Sequence, residues 1–190
     1  MTSPTPPCAC PPGYEDGGCV FPPGTCGRSA DLFADRGASF SPCGLYRYRL
    51  WRTWDSRKPP LVFCMLNPST ADAEQDDPTV ARCSERARRL GHGGLEVVNL
   101  FALRSTDPKA LYGHADPVGP ENDSAILGAA ERGKIVCAWG NHGWLRGRDK
   151  AVLKLLRAAG ALAFALKISK DGHPSHPLYL SYDLRPEPYQ

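Results

Sequence analysis

Four apolar runs in this 190-residue chain each lead into residues able to bind or orient a small molecule. Leu61–Leu66 stops at Asn67-Pro68, Leu95–Val98 at Asn99, and Lys134–Trp139 at Gly140-Asn141-His142. Ala161–Leu166 runs into a loop that carries His173-Pro174 and His176-Pro177. An asparagine side chain sets a donor beside an acceptor, the complement of a base edge or an amide. Asn67 would hold water through its carbonyl or donate to a substrate oxygen; the alternative is that it fastens its own turn before Pro68. Asn99 carries the same choice between reading a base edge and a structural role. His176, stiffened by Pro177, would donate a hydrogen bond to a developing anion, with His173 as competitor and plain surface histidines as the alternative.

Among the carboxylates after the first run, Asp72, Glu74, Asp76 and Asp77, one is expected to activate water or hold a metal. Asp77 already has a helix to cap, and Asp72 is taken as the catalytic candidate. Pro68, Ser69, Asn99, Phe101, Trp139, Gly140 and Lys167 complete the expected substrate-binding set, with Trp139 or Phe101 placed to stack on a ring. No Gly-x-x-x-x-Gly-Lys, Gly-x-Gly-x-x-Gly, His-Glu-x-x-His or Gly-x-Ser-x-Gly motif occurs, so four common site classes lose support.

The elements that must position these residues follow from periodicity and punctuation. After Leu61–Leu66 a helix starts at Asp77 (N-cap) and Pro78 (first turn) and ends before Gly91, with Val80, Cys83, Ala87 and Leu90 as its buried stripe. Arg82, Arg86 and Arg89 form a second stripe, which either faces solvent or, with Arg104, meets nucleic-acid phosphates. Further helices are expected over 121–132 and 147–159, each closed by glycine. Strands alternating with helices imply parallel pairing and right-handed crossovers, which bring all strand ends to one rim. We therefore expect a three-layer α/β/α domain over 36–190 with a central four-stranded, mainly parallel sheet. The alternating bulky and basic residues Leu45–Trp54 suit an added N-terminal hairpin or edge strand with an exposed basic face.

Residues 1–35 are rich in proline, glycine and cysteine and form a separate tail. Its plain reading is flexible chain. The sharper one gives Cys8, Cys10, Cys19 and Cys26 a zinc or iron–sulfur site, although the spacing is not that of paired Cys-x-x-Cys. Cys64, Cys83 and Cys137 fall in apolar patterns and read as inert core thiols. The net charge of +3 permits a polyanionic partner without demanding one. With no apolar stretch of membrane-spanning length and no signal-peptide pattern at the start, the expected location is cytoplasmic, with no membrane and no obligate protein partner.

Leu66–Asp72, Asp77–Thr79, Asn99–Arg104, Asn122-Asp123, Ala138–Gly140 and His176–Leu180 together resemble a bacterial and phage family catalogued as a domain of unknown function (number 1643). More distantly, the chain is similar to the uracil-DNA glycosylase superfamily. Phe63–Pro68 resembles an Ile-Asn-Pro motif whose Asn positions the attacking water. Val97–Leu100 resembles a strand-ending Asn that reads the base edge. Val136–Gly140 resembles a Leu-Leu-Trp-Gly strand, and His176-Pro177 a loop whose histidine stabilises the departing base. The Gly-Gln-Asp-Pro-Tyr motif is absent, and Leu178-Tyr-Leu180 replaces Ser-Pro-Leu. The resemblance implies a glycosylase-like fold and hydrolysis of an N-glycosidic bond in nucleic acid or a nucleotide, with no cofactor in the main domain. Two other readings stand beside it: a non-catalytic nucleic-acid or nucleotide-binding module, and a metal-binding protein acting through its N-terminal cysteines.

Overall fold

Pro60–Met65 is apolar on both faces and buried along nearly its whole length, which fits a strand enclosed between two helical layers. The computed structural model describes residues 29–31 and 34–189. Its strands are β1 (Ser29–Asp31), β2 (Ala34–Phe40), β3 (Arg47–Thr53), β4 (Pro60–Met65), β5 (Gly94–Asn99), β6 (Lys134–Cys137), β7 (Ala163–Ala165) and β8 (Glu187–Pro188). Its helices are α1 (Pro78–Arg89), α2 (Ala110–Gly113), α3 (Asn122–Arg132) and α4 (Arg148–Ala158). All strands join one sheet in the order β1-β2-β3-β5-β4-β6-β7-β8. Within it, β5, β4, β6 and β7 run parallel, while β1, β2, β3 and β8 pair antiparallel.

The four expected strands thus form the parallel centre, but the sheet has eight strands. β2 escaped notice because Ala-Asp-Arg-Gly-Ala-Ser-Phe has neither an apolar run nor clean alternation. Its pairing passes through the boundary expected at residue 35. The expected hairpin is β2–β3, yet β3 lies inside the sheet between β2 and β5 and not at an edge. Its basic face is accordingly not solvated. Arg52 is buried and pairs with Asp76 at 2.7 Å, while Arg49 reaches the buried Glu96 at 2.7 Å. Cys8, Cys10, Cys19 and Cys26 lie outside the described residues.

Alternation along β4 separates two cores. Val62, Cys64 and Leu66 pack with Ile126 and Ala129 of α3 and Val152 and Leu156 of α4. Leu61, Phe63 and Met65 pack with Val80, Cys83 and Ala87 of α1. Helices therefore cover both faces of the sheet. Burial pushes the Cys64 thiol up to about 12, so it behaves as a core residue. Among the described residues no helix is long and apolar enough to cross a membrane.

The arginine stripe of α1 has a different use from the expected contact with phosphates. Arg82 and Arg86 donate to the Leu180 carbonyl at 2.8 and 3.0 Å, and Arg86 is wholly buried. The guanidiniums of Arg82, Arg86 and Arg89 lie 4.4, 5.3 and 4.2 Å from the centre of the Tyr182 ring. The stripe seats the C-terminal segment on α1, a few residues beyond His176. Tyr182→Ala is expected to cost about 1–2 kcal/mol, since exposed cation–π contacts contribute roughly 0.5–1 kcal/mol each and do not add fully. A urea melt measures this, together with faster proteolysis after residue 180. Unchanged stability and unchanged cleavage would remove the stripe's role as a seat.

Candidate active site

After β4 the chain crosses to β5, whereas after β6 it crosses the other way to β7. The loops at the carboxyl ends of β4 and β6 therefore diverge, and such a switch point leaves a crevice. A cavity of ≈ 670 Å³ occupies this rim, within the range typical of small-molecule sites. Asn67, Ser69, Asn99, Trp139, Gly140 and His176 all line it. Residues more than a hundred positions apart in sequence share one wall because parallel strands deliver every carboxyl end to the same edge.

The side chain of Asn67 ties the rim together. Its Nδ2 donates to the Pro68 carbonyl at 3.0 Å and to the Ser105 carbonyl at 2.7 Å, while Ser105 N returns a bond to the Pro68 carbonyl at 2.9 Å. Both amide protons are thus committed to loop closure, and Oδ1 is the atom left for water or ligand. Of the two uses expected of Asn67, the amide serves the turn and the carbonyl remains available.

Asn99 is held from behind. Asn122, fully buried at the start of α3, donates through Nδ2 to the carbonyls of Asn99 and Leu100 at 3.0 and 2.9 Å. Arg148 Nε adds a bond to the Leu100 carbonyl at 2.8 Å. These contacts fix the backbone where β5 ends and free the Asn99 side chain from that task. Asn99 is only 2% exposed, and its Oδ1 has no partner among the described residues. A buried unpaired carbonyl costs about 1–3 kcal/mol, so its persistence at a cavity wall needs a reason. Trp139 is buried and lines the same cavity, and a methyl at Gly143 would collide with its indole ring. The backbone N–H of Gly140, at φ +67°, donates to the Pro174 carbonyl at 2.8 Å and fastens the histidine loop to the end of β6.

His176 caps the short 3-10 turn Pro177–Tyr179, its Nδ1 accepting from Leu178 N at 3.4 Å. That bond requires an unprotonated Nδ1, so the neutral ring carries its proton on Nε2 and can donate from there. Desolvation lowers its pKa below 6.5, opposed by the charge of Asp77. Asp77 is the carboxylate that lines the cavity: its Oδ1 caps α1 by accepting from Val80 N at 2.8 Å. The expected Asp72 does not line it. Asp72 Oδ1 instead accepts from Glu74 N and Gln75 N at 2.8 Å each, an Asx-type turn that lowers its pKa.

Arg47 reaches this wall without a signal in the sequence. β2 pairs Ser39 with Arg49 but Phe40 with Arg47, so Tyr48 is an inserted bulge residue. The bulge reverses the alternation of β3. Tyr48 joins the core under α3, whereas Arg47 turns to the α1 side, where it is 3% exposed, lines the cavity and donates to the Ala71 carbonyl at 2.6 Å.

Several expected site residues lie elsewhere. Phe101 is fully buried in the α3-side core and does not line the cavity. Neither does Pro68, whose carbonyl serves the loop bonds, nor Lys167, whose carbonyl accepts from Ser175 N at 2.8 Å. Arg104 is exposed outside the cavity, donating to the Gly44 carbonyl at 3.1 Å. Among the described residues no group of three or more His, Cys, Asp or Glu side chains could hold a metal.

The His176 ring is expected to titrate below 6.5. Asp77→Asn should lower its midpoint further, because it removes the charge that opposes the shift. Between the folded midpoint and that of the unfolded chain the native state binds fewer protons, so stability falls as pH drops through this window. An NMR titration of the histidine rings in both proteins checks this; a midpoint above 6.5, or a rise in the variant, contradicts it.

Comparison with curated proteins and with solved structures returned no match. The family described as “Protein of unknown function (DUF1643)” matches residues 47–178, a stretch running from Arg47 to just beyond His176 and containing every side chain discussed at the cavity. The chain belongs to that family.

Proposed function

We propose that the protein is a glycosylase-like hydrolase of N-glycosidic bonds, acting on a base in nucleic acid or in a nucleotide, with a fold of the uracil-DNA glycosylase kind. The observation that carries this reading is Asn99: a buried amide with an unpaired oxygen, braced from behind, on the same cavity wall as Asn67 and His176. An amide edge so presented complements the polar edge of a base. A base stacked in nucleic acid would leave its stack to enter.

In this mechanism the C1′–N bond breaks toward an oxocarbenium-like sugar, and the electron pair departs with the base. The neutral His176 ring donates its Nε2 proton in a hydrogen bond to the base anion. Water held by Asn67 Oδ1 adds to C1′, its proton passing to Asp77 and then to solvent, while solvent protonates the released base. Asp77 takes the place expected of Asp72, because Asp77 borders the cavity and Asp72 does not. A hydrogen-bond donor to a developing anion typically contributes about 10²–10³ in rate, and a positioned general base about 10²–10⁴. His176→Ala and Asp77→Asn are therefore expected to lower turnover by factors of that order, and Asn99→Ala to relax base choice. Abasic-site formation and base release, measured across modified-base oligonucleotides and nucleotides, provide the test. Variants that retain full activity would overturn these roles.

One observation favours the non-catalytic alternative. The Asn67 amide nitrogen is spent on loop carbonyls, as in a residue kept for its turn. Tight binding with no product across the same substrates would select that reading.

A further inference from the structure

Two of the other buried arginines form ion pairs, Arg52 with Asp76 and Arg148 with Asp123. The third, Arg86, is held by backbone carbonyls and the Tyr182 ring, with its own Nε unpartnered among the described residues. Arg47 is as deeply buried and, like Arg86, takes part in no ion pair among the described residues, but unlike Arg86 it lines the cavity. Among the described residues its single side-chain hydrogen bond goes from Nη1 to the Ala71 carbonyl, and Nε has no partner. Burial lowers its pKa to about 10, opposed chiefly by the charge of Asp77, so it stays charged at neutral pH. A buried cation without an ion-pair partner is costly, and functional sites are where such costs are kept.

Its neighbour supplies the second observation. Leu50 of β3 stands opposite Val97 of β5 on the α1 face. The Tyr48 bulge brings Arg47 to that same face, where its backbone N–H donates to the Ala102 carbonyl just past the end of β5 at 2.9 Å, while Asn99 pairs with Met65 of β4. Arg47, Asn99 and Met65 all line the cavity and make up its floor. Both polar members are more than nine-tenths buried, and Arg47 retains an unpartnered donor at Nε whereas Asn99 retains an unpartnered acceptor at Oδ1. Above this floor lies the first turn of α1, with Pro78, Thr79 and Val80 lining the cavity and the Asp77 carboxylate capping it.

We propose that Arg47 is the cation of an oxyanion subsite on the cavity floor, which receives a negatively charged oxygen of the bound ligand, while Asn99 Oδ1 accepts from a neighbouring donor of the same ligand. Two sources share this chemistry: the phosphate of a nucleotide, and the ionised oxygen of a purine or pyrimidine. The first is independent of the hydrolytic reading, whereas the second rests on it, since the departing base is then the anion held. Asp77, the carboxylate facing the same space, limits the charge accepted. With this carboxylate on the same wall, a monoanion is tolerated better than a dianion.

The experiment measures binding by calorimetry to the full chain and to its Arg47→Gln and Arg47→Lys variants. The probes are inorganic phosphate, matched 2′-deoxynucleosides and their 5′-monophosphates, and xanthine, which ionises near neutral pH, beside hypoxanthine, which does not. The wild type is expected to prefer the anionic member of at least one pair. Arg47→Gln should weaken that member by about tenfold or more, the scale of one charged hydrogen bond, while the neutral member changes by less than about twofold. Arg47→Lys should recover part of the loss. A preference confined to monophosphates assigns the phosphate source, and one confined to xanthine assigns the base. Equal wild-type affinity for charged and neutral members overturns the subsite, even if a variant fails to fold. So does an equal loss of both members in a folded Arg47→Gln protein. Base-release assays on the same samples separate the two proposals: selective anion binding without turnover keeps the subsite and removes the hydrolase.

Discussion

The parallel pairing of β4 with β5 on one side and β6 on the other is the constraint on which the rest of the molecule depends. Parallel neighbours cannot be joined by a tight turn, so each connection must climb over a face of the sheet as a crossover. Because β4 is the first parallel strand in sequence and lies between the second and third, its crossover and that of β6 leave in opposite directions. The gap between them is a consequence of topology, and the chain has only to furnish it. The furniture is short-range: Asn67 fastening two loops, Gly140 turning under Pro174, and Asn122 bracing the end of β5.

Much of the parallel core was legible because its signals are local. Apolar runs, the Asp77-Pro78 start and the terminal glycines each report on neighbours a few residues away, and the four strands and three long helices follow from them. The convergence of Asn67, Asn99 and His176 on one cavity required only those strands and the right-handed crossover rule. What escaped depends on partners distant in sequence. The Arg82-Arg86-Arg89 stripe has the same spacing whether it meets solvent, phosphate or a C-terminal segment, and only the arrival of Leu180 and Tyr182 decides. Phe101 follows a strand end as directly as Trp139 does, and both join the α3-side core, but only Trp139 also lines the cavity.

The bulge at Tyr48 is the sharpest instance. Arg47-Tyr48-Arg49-Leu50 reads as clean alternation, which would put both arginines on one face. The extra residue separates them. Arg49 goes to Glu96 on the α3 side, where Arg132 also binds the buried carboxylate at 2.6 Å, while Arg47 goes to the cavity. Nothing in the tetrapeptide encodes this; it is fixed by where β2 resumes its register at Phe40.

The sheet thus handles buried charge in two ways a few residues apart. On the α3 face, Glu96 is surrounded by two guanidiniums and its charge is matched within the protein. On the α1 face, Arg47 and Asn99 stand buried without equivalent partners. If stability alone governed the second face, an apolar pair of similar volume would serve as well or better, since replacing buried polar groups by packed apolar ones is often neutral or stabilising. A rigid strand pair also holds polar groups more exactly in place than a loop can, so a ligand arriving there meets donors and acceptors that need no reorganisation. Among the described residues, unpartnered buried atoms also occur away from the cavity, at Arg82, Ser84, Arg86 and Asn122, but Arg47 and Asn99 place a donor and an acceptor on its wall. That combination of access and incomplete pairing is the physical argument that the α1 face of the rim is built for a ligand.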